Sequence, residues 1–184
     1  MGVSNFGPAQ LAKVAAYLSR AGVPLATTQV QCSLLSAGPA TRAALVAAAD
    51  LGVTVLAYSP LALGMLSGAY GPAAAGGRAG GGAPRYPAGP RGSLFRSVLP
   101  KAGPLLTTID GIAAAKKCTP AQVALAWCIA LDTVPIPGAR CGAHVASHAG
   151  AAQVRLSPGD VAALDGAAAR LGRATMPQNV FATR

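Results

Sequence analysis

Short apolar runs alternate along this chain with longer stretches of helical period. Gly2-Val3-Ser4-Asn5-Phe6 reads as the tail of a strand, and Pro8-Ala9-Gln10-Leu11 opens a helix with Leu11, Val14, Ala15 and Leu18 on one face. Gly22 ends that helix. An apolar stretch from Val23 to Cys32 predicts the next strand, and beyond Gly38-Pro39 a second helix runs through Leu45 and Val46 to Gly52. Val53-Thr54-Val55-Leu56-Ala57-Tyr58 is an unbroken apolar, β-branched run, the pattern of a parallel strand covered on both faces.

The alternation then breaks. From about 71 to 93 the chain is mostly Gly, Ala, Pro and Arg, too poor in large apolar groups for a core, which predicts a long surface loop. Helical period returns at Leu94, is punctured by Pro104 and continues to Lys117. Thr119-Pro120-Ala121-Gln122 has the form of an N-cap followed by a proline in the first turn, and Leu125, Trp127, Cys128 and Leu131 give that helix its apolar side. Val134-Pro135-Ile136-Pro137-Gly138 is a short strand whose prolines suit an edge or a barrel rim. A helix around 143–152 and another starting at Ser157-Pro158 and passing Val161, Leu164 and Leu171 close the chain. Four strands, each followed by helix, predict an α/β fold with a parallel sheet.

The length of 184 residues narrows this further, because a complete (β/α)8 barrel needs about 250 residues. A hydrophobic fraction of 52% owes much to Ala, so burial per residue is expected to be modest. No apolar run reaches the length of a membrane span, and no basic segment leading into an apolar one follows Met1, so a soluble chain without a visible targeting segment is expected. Cys32, Cys118, Cys128 and Cys141 stand far apart, which predicts reduced thiols. His144 and His148, the two histidines, have no cysteine pair at ligand spacing, so no metal site is expected and both read as exposed helix residues. The net charge is +10, with no Glu and only Asp50, Asp110, Asp132, Asp160 and Asp165 as acids. Anionic partners are favoured, and a paired-carboxylate hydrolase is hard to build.

Five segments in order carry a more specific signal: Gly-Val-Ser-Asn-Phe at 2–6, Gln29-Val30-Gln31-Cys32, Ala57-Tyr58-Ser59-Pro60-Leu61, Gly64-Met65-Leu66-Ser67-Gly68 and Pro135-Ile136-Pro137-Gly138-Ala139-Arg140. Each falls at or just beyond the end of an expected strand. Together they resemble the aldo-keto reductase family over nearly the whole chain, especially its bacterial and plant branch. The resemblance implies a partial (β/α)8 TIM barrel, strands 5 to 8 with their helices, so that residues 1–184 correspond to the C-terminal half of the barrel. It implies an NADP(H)-dependent oxidoreductase that reduces aldehydes or ketones by hydride transfer, with a carbonyl substrate in the complete protein.

By the same resemblance, Ser4, Asn5 and Gln29 match residues that bond the nicotinamide carboxamide, and Tyr58 matches the aromatic ring stacked on the nicotinamide. An amide ligand needs both donors and acceptors, and a flat π-system selects one ring face. Ser59, Leu61 and Gly64 match the loop around the pyrophosphate. Gly138, Ala139 and Arg140 match the turn that meets the adenosine 2′-phosphate, where a guanidinium favours NADP(H) over NAD(H). Where relatives carry a long polar or basic residue and then an acidic-amide pair, this chain has His144, Ser147 and His148. The family's general-acid Tyr and its Lys, Asp and His partners come from the first four strands and match nothing here, so the chain alone is expected to be an inactive fragment.

Two other readings stay open. A half-barrel has open strand edges and could assemble with a second copy or a missing-half partner. Arg78, Arg85, Arg91, Arg96 and Lys101, interleaved with Tyr86 and Phe95, also have the composition of a single-stranded nucleic-acid-binding segment, although nucleic acid is the less expected partner. Reduced cysteines and the plant-like resemblance suit the cytoplasm or a plastid stroma.

Overall fold

The computed structural model describes residues 1–70 and 86–172. Four strands, β1 (Gly2–Ser4), β2 (Thr27–Gln31), β3 (Thr54–Tyr58) and β4 (Thr133–Ile136), form one sheet in the order β1-β2-β3-β4, with every neighbouring pair parallel. Between them run α1 (Pro8–Arg20), α2 (Pro39–Asp50), a 3₁₀ segment Ala62–Ser67, α3 (Pro90–Val98), α4 (Gly103–Ala115) and α5 (Pro120–Ala130). After β4 come α6 (Gly142–Gly150), a 3₁₀ turn Ala151–Gln153 and α7 (Pro158–Ala169).

Strand order and side-chain direction together select the architecture. A doubly wound sheet reverses its strand order and carries helices on both faces, whereas a barrel adds strands sequentially and carries helices on one. Here the order is sequential, and the buried residues Thr28 and Val30 of β2 and Val55 and Ala57 of β3 share one face through the pairs Thr28↔Val55 and Val30↔Ala57. Helices cover that face. Leu11 of α1 and Ala48 of α2 pack with Val30, Val53 and Val55, while Cys32, Ala57, Leu66 and residues of α3, α4, α5 and α7 form the larger cluster. The opposite face, with Gln29, Leu56, Tyr58, Val134 and Ile136, carries no helix layer among the described residues, and Val134 and Ile136 remain 48% and 41% exposed. This is the inward face of a barrel segment, so the chain has the partial (β/α)8 arrangement expected.

Local chemistry explains most element boundaries. Thr119 caps α5 through a reciprocal box: its hydroxyl accepts from the Gln122 amide at 3.2 Å, and the Gln122 side-chain oxygen accepts from the Thr119 amide at 2.9 Å. Ser157 and Asp160 repeat the arrangement at α7 with 3.1 and 2.8 Å bonds. Pro104 does not interrupt one long helix but sits in the first turn of α4, where its missing N–H costs nothing. The Gly/Pro/Arg-rich stretch expected as loop ends earlier than its composition suggests, because α3 begins at Pro90; residues 71–85 of that stretch lie outside the described residues. Pro135 lies in β4, an edge strand of the described sheet, as prolines in strands require.

Trp127 is fully buried on α5, and its indole N–H donates to Asp165 Oδ1 of α7 at 2.9 Å. Arg42 of α2 reaches the same oxygen at 2.8 Å and lies over the indole ring at 5.8 Å. Three helices distant in sequence are therefore joined at one carboxylate. All four cysteines are free, and among the described residues no helix is long and apolar enough to cross a membrane.

Candidate functional site

Parallel strands end on the same side of the sheet, and their carboxyl ends form one rim. The register Ser4↔Gln29↔Leu56 puts Ser4 and Gln29 side by side, and Gln31↔Tyr58↔Ile136 sets the row above, all on the helix-free face. Asn5 follows β1 directly with φ 59°, a left-handed conformation that Asn tolerates better than most residues. Its amide donates to the Gln29 carbonyl at 2.8 Å, and the Ser4 hydroxyl donates to the same oxygen at 3.1 Å. The Tyr58 hydroxyl donates to Asn5 Oδ1 at 3.1 Å. This bond orients the phenol ring over the rim and occupies the acceptor half of the Asn5 amide, so its donor half is what remains to offer a carbonyl oxygen.

Beyond β3 the backbone enters the left-handed region repeatedly, at Ser59 (φ 51°), Ala62 (48°), Leu63 (58°), Gly64 (97°) and Gly68 (84°). Such clusters of strained residues survive only where surrounding contacts hold them, and left-handed turns point successive N–H groups into an anion-binding concavity. The contacts are visible. Gly64 N–H donates to the Leu61 carbonyl at 2.8 Å, and the Ser67 hydroxyl donates to the Gly64 carbonyl at 2.7 Å. Arg91, at the start of α3, donates to the Leu63 carbonyl while its guanidinium lies 5.1 Å from the Phe95 ring centre and 5.9 Å from that of Tyr70. A β-carbon on Gly64 would stand 3.4 Å from Arg91 Nη2 and 3.6 Å from Tyr70 Cε2, ordinary contact distances, so it is the φ of 97° that favours glycine here.

A groove of about 740 Å³ opens between this loop, the turn after β4 and α6. Of the residues singled out from the sequence, Ser59, Leu61, Gly64, Gly138, Ala139 and Arg140 line it. Ser4, Asn5, Gln29 and Tyr58 do not; they form the polar rim at its end, joined to it through the Tyr58–Ser59 peptide. The volume lies within the range of small-molecule sites, and among the described residues the lining contains no carboxylate but two arginines and two histidines.

Arg91, His144, Ser147 and His148 were not foreseen as part of the site. The expectation that the histidines are simply exposed helix residues gives way to half-buried rings lining the groove beside Arg140. His144 Nδ1 accepts from the Arg140 amide at 3.4 Å, and the two ring centres are 6.0 Å apart. Partial burial, and then the neighbouring His144, hold the His148 imidazole below its ordinary range. The spacing of three and four residues from His144 to Ser147 and His148 was the available signal, because it puts the three on one face of α6.

The nucleic-acid reading loses its stacking platform at Phe95, which is fully buried in the main core and covered by Arg91. Arg78 and Arg85 lie outside the described residues.

Comparison with known proteins gives a consistent result. The model of the aldo/keto reductase family matches residues 1–169. The chain is 41% identical over 184 residues to a chloroplastic pyridoxal reductase of Arabidopsis thaliana, covering all of this chain and 47% of that protein. It is 40% identical over 161 residues to an uncharacterized oxidoreductase of Mycobacterium bovis, covering 85% of this chain and 45% of that one. Among solved structures, a thermostable aldo-keto reductase in complex with the inhibitor epalrestat superposes with a TM-score of 0.61 at 24% identity, over 90% of this chain and 47% of the other. The chain thus spans about half the length of the relatives it matches.

Proposed function

The chain belongs to the aldo/keto reductase family, and from that premise we propose that it is the cofactor-gripping half of an NADP(H)-dependent oxidoreductase acting on aldehydes or ketones. The observation that carries this reading is the single assembly of polar rim and anion-favouring groove, joined at Tyr58 and Ser59. Tyr58 would stack on the nicotinamide ring, held in orientation by Asn5. The carboxamide would meet the side chains of Ser4, Asn5 and Gln29. The turn at Ser59, Leu61 and Gly64, which lines the groove, would lie against the pyrophosphate, and Gly138, Ala139 and Arg140 would take the adenosine phosphate. When bound, NADPH supplies the hydride; the residues of this chain bind it, orient its ring and keep water from one of its faces.

No residue here corresponds to the family's proton-donating Tyr or its Lys, Asp and His partners, so we expect the chain alone to bind cofactor without reducing a carbonyl. A complete enzyme would draw those groups from elsewhere. The relationship to a pyridoxal reductase makes pyridoxal the first aldehyde to assay in such an enzyme, and that relative's chloroplastic location makes a plastid the first compartment to examine.

Titration with NADPH, followed by its nicotinamide fluorescence, tests the reading. A saturable one-to-one change, lost on addition of excess NADP⁺, is expected. Fluorescence that never departs from that of free NADPH rules the proposal out.

A further inference from the structure

The capping glutamine of α5 makes a further bond that capping does not explain. Gln122 closes the reciprocal box with Thr119 through its side-chain oxygen and its backbone amide. Its side-chain nitrogen takes no part in the cap and donates to the Ser147 carbonyl of α6 at 2.9 Å. One side chain therefore holds the start of α5 with one end of its amide and the last turn of α6 with the other.

The rest of α6 shows how much depends on that bond. No residue of α6 is fully buried, so the helix has no side chain of its own anchored in the core. Cys141 ahead of it provides no side-chain cap, and the Ala151 amide behind it turns to the carbonyls of His148 and Ala149. The Ser147 carbonyl is one of the end groups that a helix leaves without an internal partner, and Gln122 supplies the missing donor. Among the described residues this is the one hydrogen bond between α6 and another helix. Gly150 is its counterpart: a β-carbon there would stand 2.5 Å from Gln122 Nε2, closer than packed atoms allow, so glycine lets the amide reach α6.

Gln122 does not line the groove, but its neighbours on both helices do, Thr119 and Ala121 at the start of α5 and Ser147 and His148 on α6. Resting on the dinucleotide reading above, we infer that Gln122 is a positioning residue of the cofactor site: its amide seats α6 against α5 and so sets the width of the groove at the end where Arg140 lies. Without the bond, α6 keeps its chain connections, through the Arg140 turn and the buried Ala151, and loses its fixed distance from α5. Grip on a phosphate group is sensitive to that distance, because charge-assisted hydrogen bonds need donor and acceptor within about 3 Å.

Calorimetric titration of the full chain with NADP⁺ and 2′,5′-ADP, with urea unfolding of each variant alongside, tests this. Gly150→Ala adds one methyl group outside the groove lining and suits a helix better than glycine, so stability is expected to hold or rise. Its β-carbon displaces the Gln122 amide, and affinity for both ligands is expected to fall about tenfold, the equivalent of one hydrogen bond. Gln122→Met should lower affinity to the same extent. Adding Gly150→Ala to it should change nothing further, because no bond is left to displace. Affinities within about twofold of the parent chain in either single variant, a fall in affinity matched by an equal fall in unfolding free energy, or full additivity of the two substitutions overturns the inference and leaves the dinucleotide reading standing. A parent chain that binds neither ligand overturns both.

Discussion

At the residue scale, two positions carry distinct parts of the site. Tyr58 is held by one bond to Asn5 Oδ1, so Tyr58→Phe keeps the ring and loses its orientation. The expected result is NADPH affinity lowered by a few-fold, whereas Tyr58→Ala, which removes the stacking surface, should cost tenfold or more, corresponding to about 1.4 kcal/mol. Fluorescence titration of both variants reads the difference. Gly64 is constrained by conformation, since its φ of 97° is one that residues with a β-carbon rarely adopt. Gly64→Ala should weaken NADPH binding about tenfold and destabilise the chain by 1 kcal/mol or more, measured by urea unfolding. Tyr58 and Gly64 were legible in the sequence because each sits in a segment of fixed form. His144 and His148 were not, because helical period says which residues share a face and not which face turns towards a groove.

At the element scale, the caps and the shared carboxylate join the helix layer. Asp165→Ala would leave the buried Trp127 N–H without an acceptor and free Arg42, so a loss of about 1–3 kcal/mol in urea unfolding is expected, with Asp165→Asn intermediate. Asp160 is paired with Lys116 at 2.9 Å and bonded to the Ser157 amide, and those partners, Lys116 foremost, hold its carboxyl below the ordinary range. A lowered folded-state value means that this contribution is present above the unfolded carboxylate range, near pH 4, and is lost as pH falls through the lower folded value. Asp160→Asn should therefore reduce stability at pH 7 and make no difference once the pH is below both values, which paired melts at the two pH values would reveal. The caps at Thr119 and Ser157 were plain from sequence because capping is local chemistry. The start of α3 was hidden inside a stretch of loop-like composition: Pro90 also suits a turn, and the burial of Phe95 beneath Arg91 depends on partners far along the chain.

At the scale of the whole molecule, sequential parallel strands with helices on one face give the barrel-type arrangement; the alternation of short apolar runs with helical stretches foretold the parallel sheet, whereas the unbroken run at Val53–Tyr58 suggested cover on both faces and did not tell the helix-covered face from the open one. What the sequence could not convey is that the ten residues singled out fall into two groups, a polar rim and a separate groove lining, that meet at one peptide. The account stands on those two groups serving one ligand. Amide NMR spectra recorded during titration with NADP⁺ test it most directly. The account predicts that signals of Asn5, Gln29 and Tyr58 at the rim and of Gly64 and Arg140 in the groove shift together, with one Kd and one-to-one stoichiometry. Shifts confined to one group, or two groups that titrate with different affinities, would contradict it.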